Sequence, residues 1–239
     1  MNELKRSQCF PLKEANAMQV QNWMTTDVVT VDESTSIIIV SKILKEHNIR
    51  HLPVTRDGKL VGMITNFEIQ EAFPSKSTTL NAHELHHLLA ETKAKDIMKS
   101  DPITIRPDQT MEVAAVKMLE HKIAGLPVIK ENRDIVGIIS QGDVFRVLIS
   151  ITGIYQGGVQ FAFNLDDKGG AIKEVADVMR IWRAHIVSIL STNETADEGY
   201  RHTFIRIKKV PEDHLQKMIE ELDRRFMLLY VIKDPLKDI

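Results

Sequence analysis

The chain contains one segment twice, and this duplication limits its possible folds more than any other feature of the sequence. HNIRHLPV begins at His47, and HKIAGLPV begins 74 residues later at His121. A Met-x-x-Asp-x-x-Thr pattern precedes both, starting at Met24 and at Met98, with the same offset. LVGMIT and IVGIIS follow, with an offset of 75 because the second copy has one extra residue in the intervening turn. A repeat of this kind predicts two similar units that fold together.

Each copy has the pattern of a strand, a helix, two strands and a second helix. In the first copy, VVTV alternates as a strand, and DES offers capping residues for a helix in TSIIIVSKILKEHN. Asp57 and Gly58 predict a hairpin turn between RHLPVT and KLVGMIT. In the second copy, PITI takes the place of VVTV. One copy of about 50 residues buries too little apolar surface to be stable alone, so we expect the two to share a core.

The proline in each LPV stretch predicts where a cleft opens. Pro53 and Pro127 lack an N–H group, which places their strands at the edge or boundary of a sheet. We therefore expect the backbone just before them, at Ile49–Arg50 and Ile123–Ala124, to face a cleft instead of a neighbouring strand.

Each copy ends its apolar strand on a hydroxyl residue that is followed three residues later by an acid. The pairs are Thr65 with Glu68 and Ser140 with Asp143. This spacing is typical of a capping box at a helix N-terminus. It also suits a ligand, because the helix N-terminus attracts phosphate and the carboxylate can accept hydrogen bonds from a ribose diol. The pattern alone favours the cap and leaves the ligand open.

The duplicated motifs M-x-x-D-x-x-T, I-x-x-L-P-V, G-M-I-T-x-x-E and G-I-I-S-x-x-D resemble a tandem pair of CBS domains over about residues 18–150. The resemblance implies an adenosine-containing ligand, of the class of AMP, ATP, NAD or S-adenosylmethionine, in two clefts between the repeats. It implies that Ser140 meets a phosphate group and Asp143 the ribose, with the backbone near Ile49 and Arg50 beside the adenine.

In the pseudo-symmetric cleft, the same resemblance gives these roles to Thr65 and Glu68 and lines the base with Ile123 and Ala124. In the cleft of Ser140 and Asp143, Arg50 is a candidate to reach phosphate, and a solvated surface arginine is the alternative. The family prefers Asp at the ribose position, whereas the first copy has the longer Glu68. The cleft with Ser140 and Asp143 is therefore expected to be the stronger site.

Between the copies, a Ser/Thr-rich segment leads into a predicted amphipathic helix. His83, His86 and His87 share one face of this helix, a spacing that suits a metal ion. No carboxylate or cysteine completes a metal signature nearby. A surface or interface role is therefore favoured, and no metal site is predicted.

After the second copy, the pattern changes to a βαββαβ order, which predicts a ferredoxin-like sheet with two helices on one face. Asp167, Lys168, Gly169 and Gly170 form the first turn. This order and turn resemble an ACT domain, and the resemblance implies an amino acid bound at the turn. Gly169 replaces the proline that is usual in the family, so a glycine-rich turn without a ligand is an equal alternative.

The predicted α+β chain has six parts: an N-terminal extension (1–17), a first CBS repeat (18–73), a helical insert (74–94), a second CBS repeat (95–150), a linker (151–157) and an ACT-like domain (158–235). The CBS–CBS–ACT order, with NIRHLPV and SITG, is similar to the acetoin utilization protein B family over about residues 18–235. This similarity implies a link to acetoin or acetate metabolism.

Composition argues against several classes of protein. A net charge of −2 without a long basic run disfavours nucleic-acid binding. The single cysteine, Cys9, allows no intrachain disulfide, and no apolar segment fits a secretion signal or a bilayer span. We therefore expect a cytoplasmic protein without membrane contact. No nucleophile–base pair, metal signature or Walker loop is present, so we predict no enzyme activity and no required cofactor.

The sequence predicts a homodimeric ligand sensor. An adenine nucleotide in the CBS clefts and an amino acid at the ACT-like domain would communicate through the helix that begins near Asp143. The alternative is a structural or adaptor subunit with empty clefts that scaffolds a partner enzyme.

Overall fold

The computed structural model describes residues 18–72 and 89–234, and the chain divides after Val144 into two units. The predicted N-terminal extension and most of the helical insert lie outside the described residues, and so do His83, His86 and His87.

The N-terminal unit is built from both copies of the repeat. The first copy forms strand β1 (Val31–Asp32), helix α1 (Ile37–Glu46), strands β2 (His51–Arg56) and β3 (Lys59–Thr65), and helix α2 (Asn66–Ala72). The second forms helix α3 (Ala94–Ile97), strand β4 (Lys99–Ser100), helix α4 (Met111–Glu120), strands β5 (Gly125–Ile129) and β6 (Ile135–Ser140), and helix α5 (Gln141–Thr152). The division between the two units falls within α5.

The predicted hairpin is confirmed. Strands β2 and β3 are antiparallel, and the turn between them has positive φ at Asp57 (50°) and Gly58 (74°). Positive φ at both central residues is the geometry that the twist of a two-residue hairpin favours. The second copy pairs β5 with β6 in the same way.

The first predicted strand is shortened in the first copy and absent in the second. VVTV contributes only Val31 to β1, and at its start the Val28 N–H donates to the carbonyl of Thr26 in a tight turn. PITI forms no strand, and only Ile105 bridges to Val128. The left-handed backbone of Asp101 (φ 49°) and the missing N–H of the following proline prevent a regular ladder there.

The two copies exchange their leading segments. Thr25, which precedes the first copy's strands, bridges Ile138 in β6 through two N–H to O bonds of 2.9 Å. At the equivalent place in the second copy, Lys99 in β4 pairs with Met63 in β3. A second reciprocal pair of bridges joins Gln19 to Thr110 and Ser36 to Lys93. Each copy therefore completes its hydrogen bonding with residues of the other, which gives the duplication a physical reason.

A methionine of each copy packs on a glycine of the other. A Cβ atom added at Gly62 would collide with the side chain of Met98, and one added at Gly137 would collide with Met24. The Met-x-x-Asp-x-x-Thr motif thus anchors each leading segment on the opposite copy.

The prolines differ from the expectation in part. Strand β2 lies between β1 and β3, not at a sheet edge. However, β1 pairs only with Val54 and Thr55, so Pro53 faces no ladder partner on that side. Strand β5 has β6 as its only strand partner among the described residues, and the carbonyl of Pro127 accepts from Ile105 N–H at 3.1 Å.

The C-terminal unit has the predicted βαββαβ order. Its strands are β7 (Val159–Asp166), β8 (Ile186–Thr192), β9 (Tyr200–Ile207) and β10 (Met227–Lys233), and its helices are α6 (Ala171–Ile181) and α7 (Glu212–Arg225). The sheet is antiparallel with the order β10-β7-β9-β8. Apolar residues of one sheet face and of both helices form its core, including Phe161, Phe163, Val175, Met179, Ile205 and Leu222. The fold is ferredoxin-like, and the narrower ACT assignment stays a prediction.

Substitution of Gly62 or Gly137 by Ala should destabilise the N-terminal unit by about 1–3 kcal/mol, because the added methyl overpacks the facing methionine. Urea unfolding measures the change. Gly142→Ala is the matched control, since its new Cβ would make only an ordinary 3.5 Å contact within a helix, where Ala is favoured. Unfolding midpoints of Gly62→Ala and Gly137→Ala equal to that of the wild type would contradict the packing described here.

Candidate functional site

Two clefts in the N-terminal unit are lined by residues of both copies. We call the larger, of about 570 Å³, the Thr65 cleft; it is lined by Arg50, His51, Met63, Thr65, Asn66, Phe67, Glu68, Lys99, Ser100, Asp101, Pro102, Ile103, Lys122, Ile123, Ala124, Gly125 and Pro127. The smaller, of about 330 Å³, is the Ser140 cleft; it is lined by Thr25, Asn48, Ile49, Arg50, His51, Ala124, Ile138, Ser140, Gln141, Gly142 and Asp143. Both volumes lie in the range of small-molecule sites.

The structure brings the candidate residues together in two groups. Ser140 and Asp143 share the Ser140 cleft with Ile49 and Arg50. The other four, which are Thr65, Glu68, Ile123 and Ala124, share the Thr65 cleft. The roles of these residues in binding stay predictions.

In the Ser140 cleft, the acid forms the carboxylate half of the capping box that the pattern favours. Asp143 is 7% exposed, and its Oδ2 atom accepts hydrogen bonds from the backbone N–H and the hydroxyl of Ser140, both at 2.7 Å. These bonds fix the carboxylate at the first turn of α5, at the wall of the cleft. The cap and the proposed ligand contact therefore use the same two side chains.

In the Thr65 cleft, both oxygens of the acid have partners. Glu68 Oε2 accepts from the Thr65 N–H at 2.8 Å and from the Thr65 hydroxyl. Its Oε1 atom lies 3.2 Å from the ammonium of Lys99. The extra methylene of Glu thus does not prevent the cap, but a cation of the other copy already holds the second oxygen.

The pKa of Glu68 lies below its ordinary value. Burial alone would raise it, because the charged form loses hydration. Hydrogen bonds from the Thr65 hydroxyl and N–H, together with Lys99, outweigh burial and favour the carboxylate. Glu68 is therefore ionised at neutral pH.

Stability should fall in acid because of this group. A lowered folded pKa contributes stability that is full above the unfolded pKa, about 4.3, and is lost as pH falls through the folded value. Urea unfolding from pH 7 to pH 3 should therefore show a smaller acid loss for Glu68→Gln than for the wild type. The exposed neighbour Glu71, changed to Gln, serves as the control and should keep the wild-type profile. Superimposable profiles for Glu68→Gln and the wild type would contradict the lowered pKa.

The backbone before each proline is less open than predicted. The N–H groups of Ile49 and Ile123 donate to carbonyls at the ends of α1 and α4, Leu44 and Met118 respectively, at 3.0 Å. The carbonyl of Ala124 accepts from Gln141 N–H, also at 3.0 Å. These three groups are satisfied within the chain.

Two residues form a wall common to both clefts, with Ala124 beside them. Arg50 and His51 line the Thr65 cleft and the Ser140 cleft alike. The His51 ring packs on Gly125, where an added Cβ would lie 3.0 Å away. Burial and the positive charge of Arg50 lower the pKa of His51, and the negative charge of Glu68 only partly opposes them. The wall thus has one permanent cation and a neutral imidazole at neutral pH.

Sequence reasoning missed the residues that the leading segment of each copy contributes to a cleft. Thr25 lines the Ser140 cleft, and Lys99 occupies the equivalent place in the Thr65 cleft. It also missed Phe67, which is exposed at the Thr65 cleft with the Lys99 ammonium 5.8 Å from its ring centre. The offset of 74 relates Thr25 to Lys99, so aligning the copies shows that these residues are equivalent, whereas their place at the clefts follows from the strand pairing.

A third cavity, of about 310 Å³, lies in the C-terminal unit. Among the four residues of the predicted effector turn, only Lys168 lines it. Asp167 instead accepts from Asn193 at 2.7 Å, and a Cβ added at Gly169 or Gly170 would meet open space. Asn164 also lines the cavity, and its buried side-chain oxygen has no hydrogen-bond partner within the described part of the chain.

None of the helices described in residues 18–72 and 89–234 is both long and apolar enough to cross a membrane.

Comparisons with known proteins identify the repeated unit. Residues 19–75 and 94–150 match the family model of the CBS domain. Over 134 residues, the chain is 36% identical to a homoserine O-acetyltransferase of Methanosalsum zhilinae, a stretch that makes up 56% of this chain and 24% of that enzyme. The chain thus spans about a quarter of the length of this longer relative.

Two solved structures are similar over the repeats. One is the CBS domain pair of protein MJ0100 in complex with 5-methylthioadenosine and S-adenosyl-L-methionine, with 30% identity and a TM-score of 0.47, covering 54% of this chain and 94% of that one. The other is described as an acetoin utilization protein (AcuB) from Vibrio cholerae, with 24% identity and a TM-score of 0.48, covering 58% of this chain and 96% of that one.

One relative is matched over most of its length. The chain is 30% identical over 125 residues to the CBS domain-containing protein YhcV of Bacillus subtilis, and the aligned part is 52% of this chain and 81% of YhcV. With both repeats matched as well, the chain belongs to the family of CBS domain-containing proteins.

Proposed function

We propose that the chain is a regulatory protein that binds an adenosine-containing ligand, of the class of AMP, ATP, NAD or S-adenosylmethionine, in the Ser140 cleft. One observation carries this proposal: the two copies contribute complementary groups to a single cleft of ligand size. Ser140 and Asp143 come from the second copy, and Ile49 and Arg50 come from the first.

The groups match the parts of a nucleotide. The Ser140 hydroxyl stands at the N-terminus of α5, a helix of 12 residues, where the positive end of the helix dipole favours a phosphate group. Arg50 adds a permanent positive charge at the same cleft. Asp143, one turn into the helix, suits the hydroxyls of a ribose.

The proposed role is binding without turnover, because neither cleft has a sequence signature of a nucleophile, a metal site or a Walker loop. Helix α5 carries Asp143 in its first turn and ends at Thr152 in the C-terminal unit, so a ligand that prefers one state of this helix would be sensed there. Homodimeric assembly, a partner enzyme, a cytoplasmic location and the link to acetoin or acetate metabolism are further parts of this proposal.

Calorimetric titration with AMP, ADP, ATP, NAD and S-adenosylmethionine tests it. At least one should bind, and a ligand at 100 times its Kd should stabilise the protein by about 2.7 kcal/mol. Asp143→Asn should weaken binding about tenfold or more, because the amide keeps an acceptor for the cap but loses the charge.

Asp96→Asn is the matched control, because the Asp96 carboxylate caps α3 through Lys93 N–H at 2.8 Å and lines neither cleft. This variant should bind as the wild type does. If no compound binds, the clefts are not adenosine sites, and the adaptor function with empty clefts takes precedence.

We also propose that the cavity of the C-terminal unit binds an amino acid. The supporting observation is the buried side-chain oxygen of Asn164, which has no hydrogen-bond partner within the described part of the chain and is an acceptor suited to an α-amino group. The cations Lys168 and Arg225 line the same cavity.

Titration with the twenty amino acids should give one binder, and Asn164→Leu should abolish its binding. Ser191→Ala removes a polar group of the same unit outside the cavity and should leave binding unchanged. Absence of binding by every amino acid would leave the glycine-rich turn as a purely structural feature.

A further inference from the structure

The two clefts differ in charge at matched positions. The offset of 74 relates Thr25 of the Ser140 cleft to Lys99 of the Thr65 cleft, and Asn48 to Lys122. Neutral polar side chains thus line the Ser140 cleft at two places where ammonium groups line the Thr65 cleft. Because pseudo-symmetry makes the backbone positions equivalent, side-chain chemistry is what distinguishes the clefts here.

Lys99 is fixed at the cleft and still accessible. Its ammonium lies 3.2 Å from Glu68 Oε1 and 5.8 Å from the centre of the Phe67 ring, while its side chain is 68% exposed. The ion pair and the ring hold the ammonium at the wall of the cleft, and the exposed fraction leaves it able to meet an anion from solvent.

Lys122 occupies a strained backbone position. It follows α4 with φ of 53°, in the left-handed region, where a lysine is disfavoured and Asn or Gly is preferred. The matched residue of the first copy, with φ of 50°, is Asn48. The same left-handed backbone thus carries an ammonium group in one copy and a neutral amide in the other.

Glu68 is poorly placed to grip a ribose as Asp143 is proposed to do. Thr65 and Lys99 already hold its two carboxylate oxygens. Recognition in the Thr65 cleft would therefore depend more on cations than on a carboxylate. Among the described residues, three lysine or arginine side chains line the Thr65 cleft, namely Arg50, Lys99 and Lys122, whereas only Arg50 of this kind lines the Ser140 cleft.

We propose that the two clefts sort ligands by phosphate charge, with Lys99 and Lys122 as the specificity-determining residues. The Thr65 cleft, which is also the larger, takes a chain of two or more phosphates, carried by a nucleotide or free. The Ser140 cleft takes an adenosine compound with at most one phosphate. The second half of this assignment rests on the function proposed above, whereas the first half does not.

Titration of the full chain with ATP, AMP and inorganic tripolyphosphate tests the assignment. In an Asp143→Asn background, where the Ser140 cleft is weakened, ATP should bind more tightly than AMP. Lys99→Met and Lys122→Asn should each lower ATP affinity about tenfold, and tripolyphosphate affinity where it binds, because each removes a charge-assisted contact. Lys122→Asn introduces the residue of the first copy, so its fold should be retained.

Lys130→Met, which removes an exposed lysine outside both clefts, is the control and should bind ATP as its parent does. The converse change, Thr25→Lys in an otherwise wild-type chain, should increase the affinity of the Ser140 cleft for ATP relative to AMP. Tripolyphosphate that binds as tightly as ATP would identify free polyphosphate as the ligand, and much weaker binding would identify a nucleotide.

The outcomes separate this inference from the proposed function. If AMP binds and requires Asp143, but Lys99→Met and Lys122→Asn leave ATP affinity unchanged, the charge sorting is wrong and the proposed function stands. If no adenosine compound binds in a way that requires Asp143, but ATP or tripolyphosphate binds and loses affinity in Lys99→Met and Lys122→Asn, the proposed function fails and the polyphosphate site stands.

Discussion

The exchange of leading segments between the two copies is the constraint on which the N-terminal unit depends. Thr25 completes the hydrogen bonding of β6, and Lys99 completes that of β3. Neither segment can make these bonds within its own copy. The same exchange places residues of one copy at the helix N-terminus of the other, so the interaction that joins the halves also builds the walls of both clefts.

Approximate symmetry sets the shape of the clefts, and departures from it set their chemistry. Both acids cap their helices through the preceding hydroxyl residue. Around this shared frame, Gly142 in one cleft corresponds to Phe67 in the other, and Thr25 to Lys99. A duplicated module can thus keep one scaffold while its two sites diverge, because single side chains at matched positions change charge and shape without altering the backbone that supports them.

Local chemistry made much of this structure predictable. The hairpin at Asp57 and Gly58 follows from two residues that accept positive φ, and the caps at Thr65 and Ser140 follow from a three-residue spacing. The βαββαβ order of the C-terminal unit follows from strand alternation and helical periodicity. The pairing of candidate residues across each cleft followed from the repeat and from the resemblance it carries.

Features that depend on contacts between residues far apart in the sequence were harder to predict. PITI forms no strand because Asp101, just before it, has a left-handed backbone. Lys99 reaches the Thr65 cleft only because its strand pairs with a strand of the opposite copy. No local pattern around either residue reports such an arrangement. The bonds that occupy Ile49 N–H and Glu68 Oε1 also become visible only once three-dimensional neighbours are known.

The wall formed by Arg50 and His51 affects how tightly the two clefts can bind ligands at the same time. The Arg50 guanidinium lines both clefts, so an anion bound in one cleft interacts with the same positive charge that an anion in the other cleft would need. Ligands in the two clefts would then weaken each other's binding through Arg50. Thermodynamic linkage requires each ligand to lower the affinity of the other by the same factor. With both clefts occupied, the total binding free energy would be less favourable than the sum of the free energies for each cleft alone. A rise in the concentration of one ligand would therefore partly release the other.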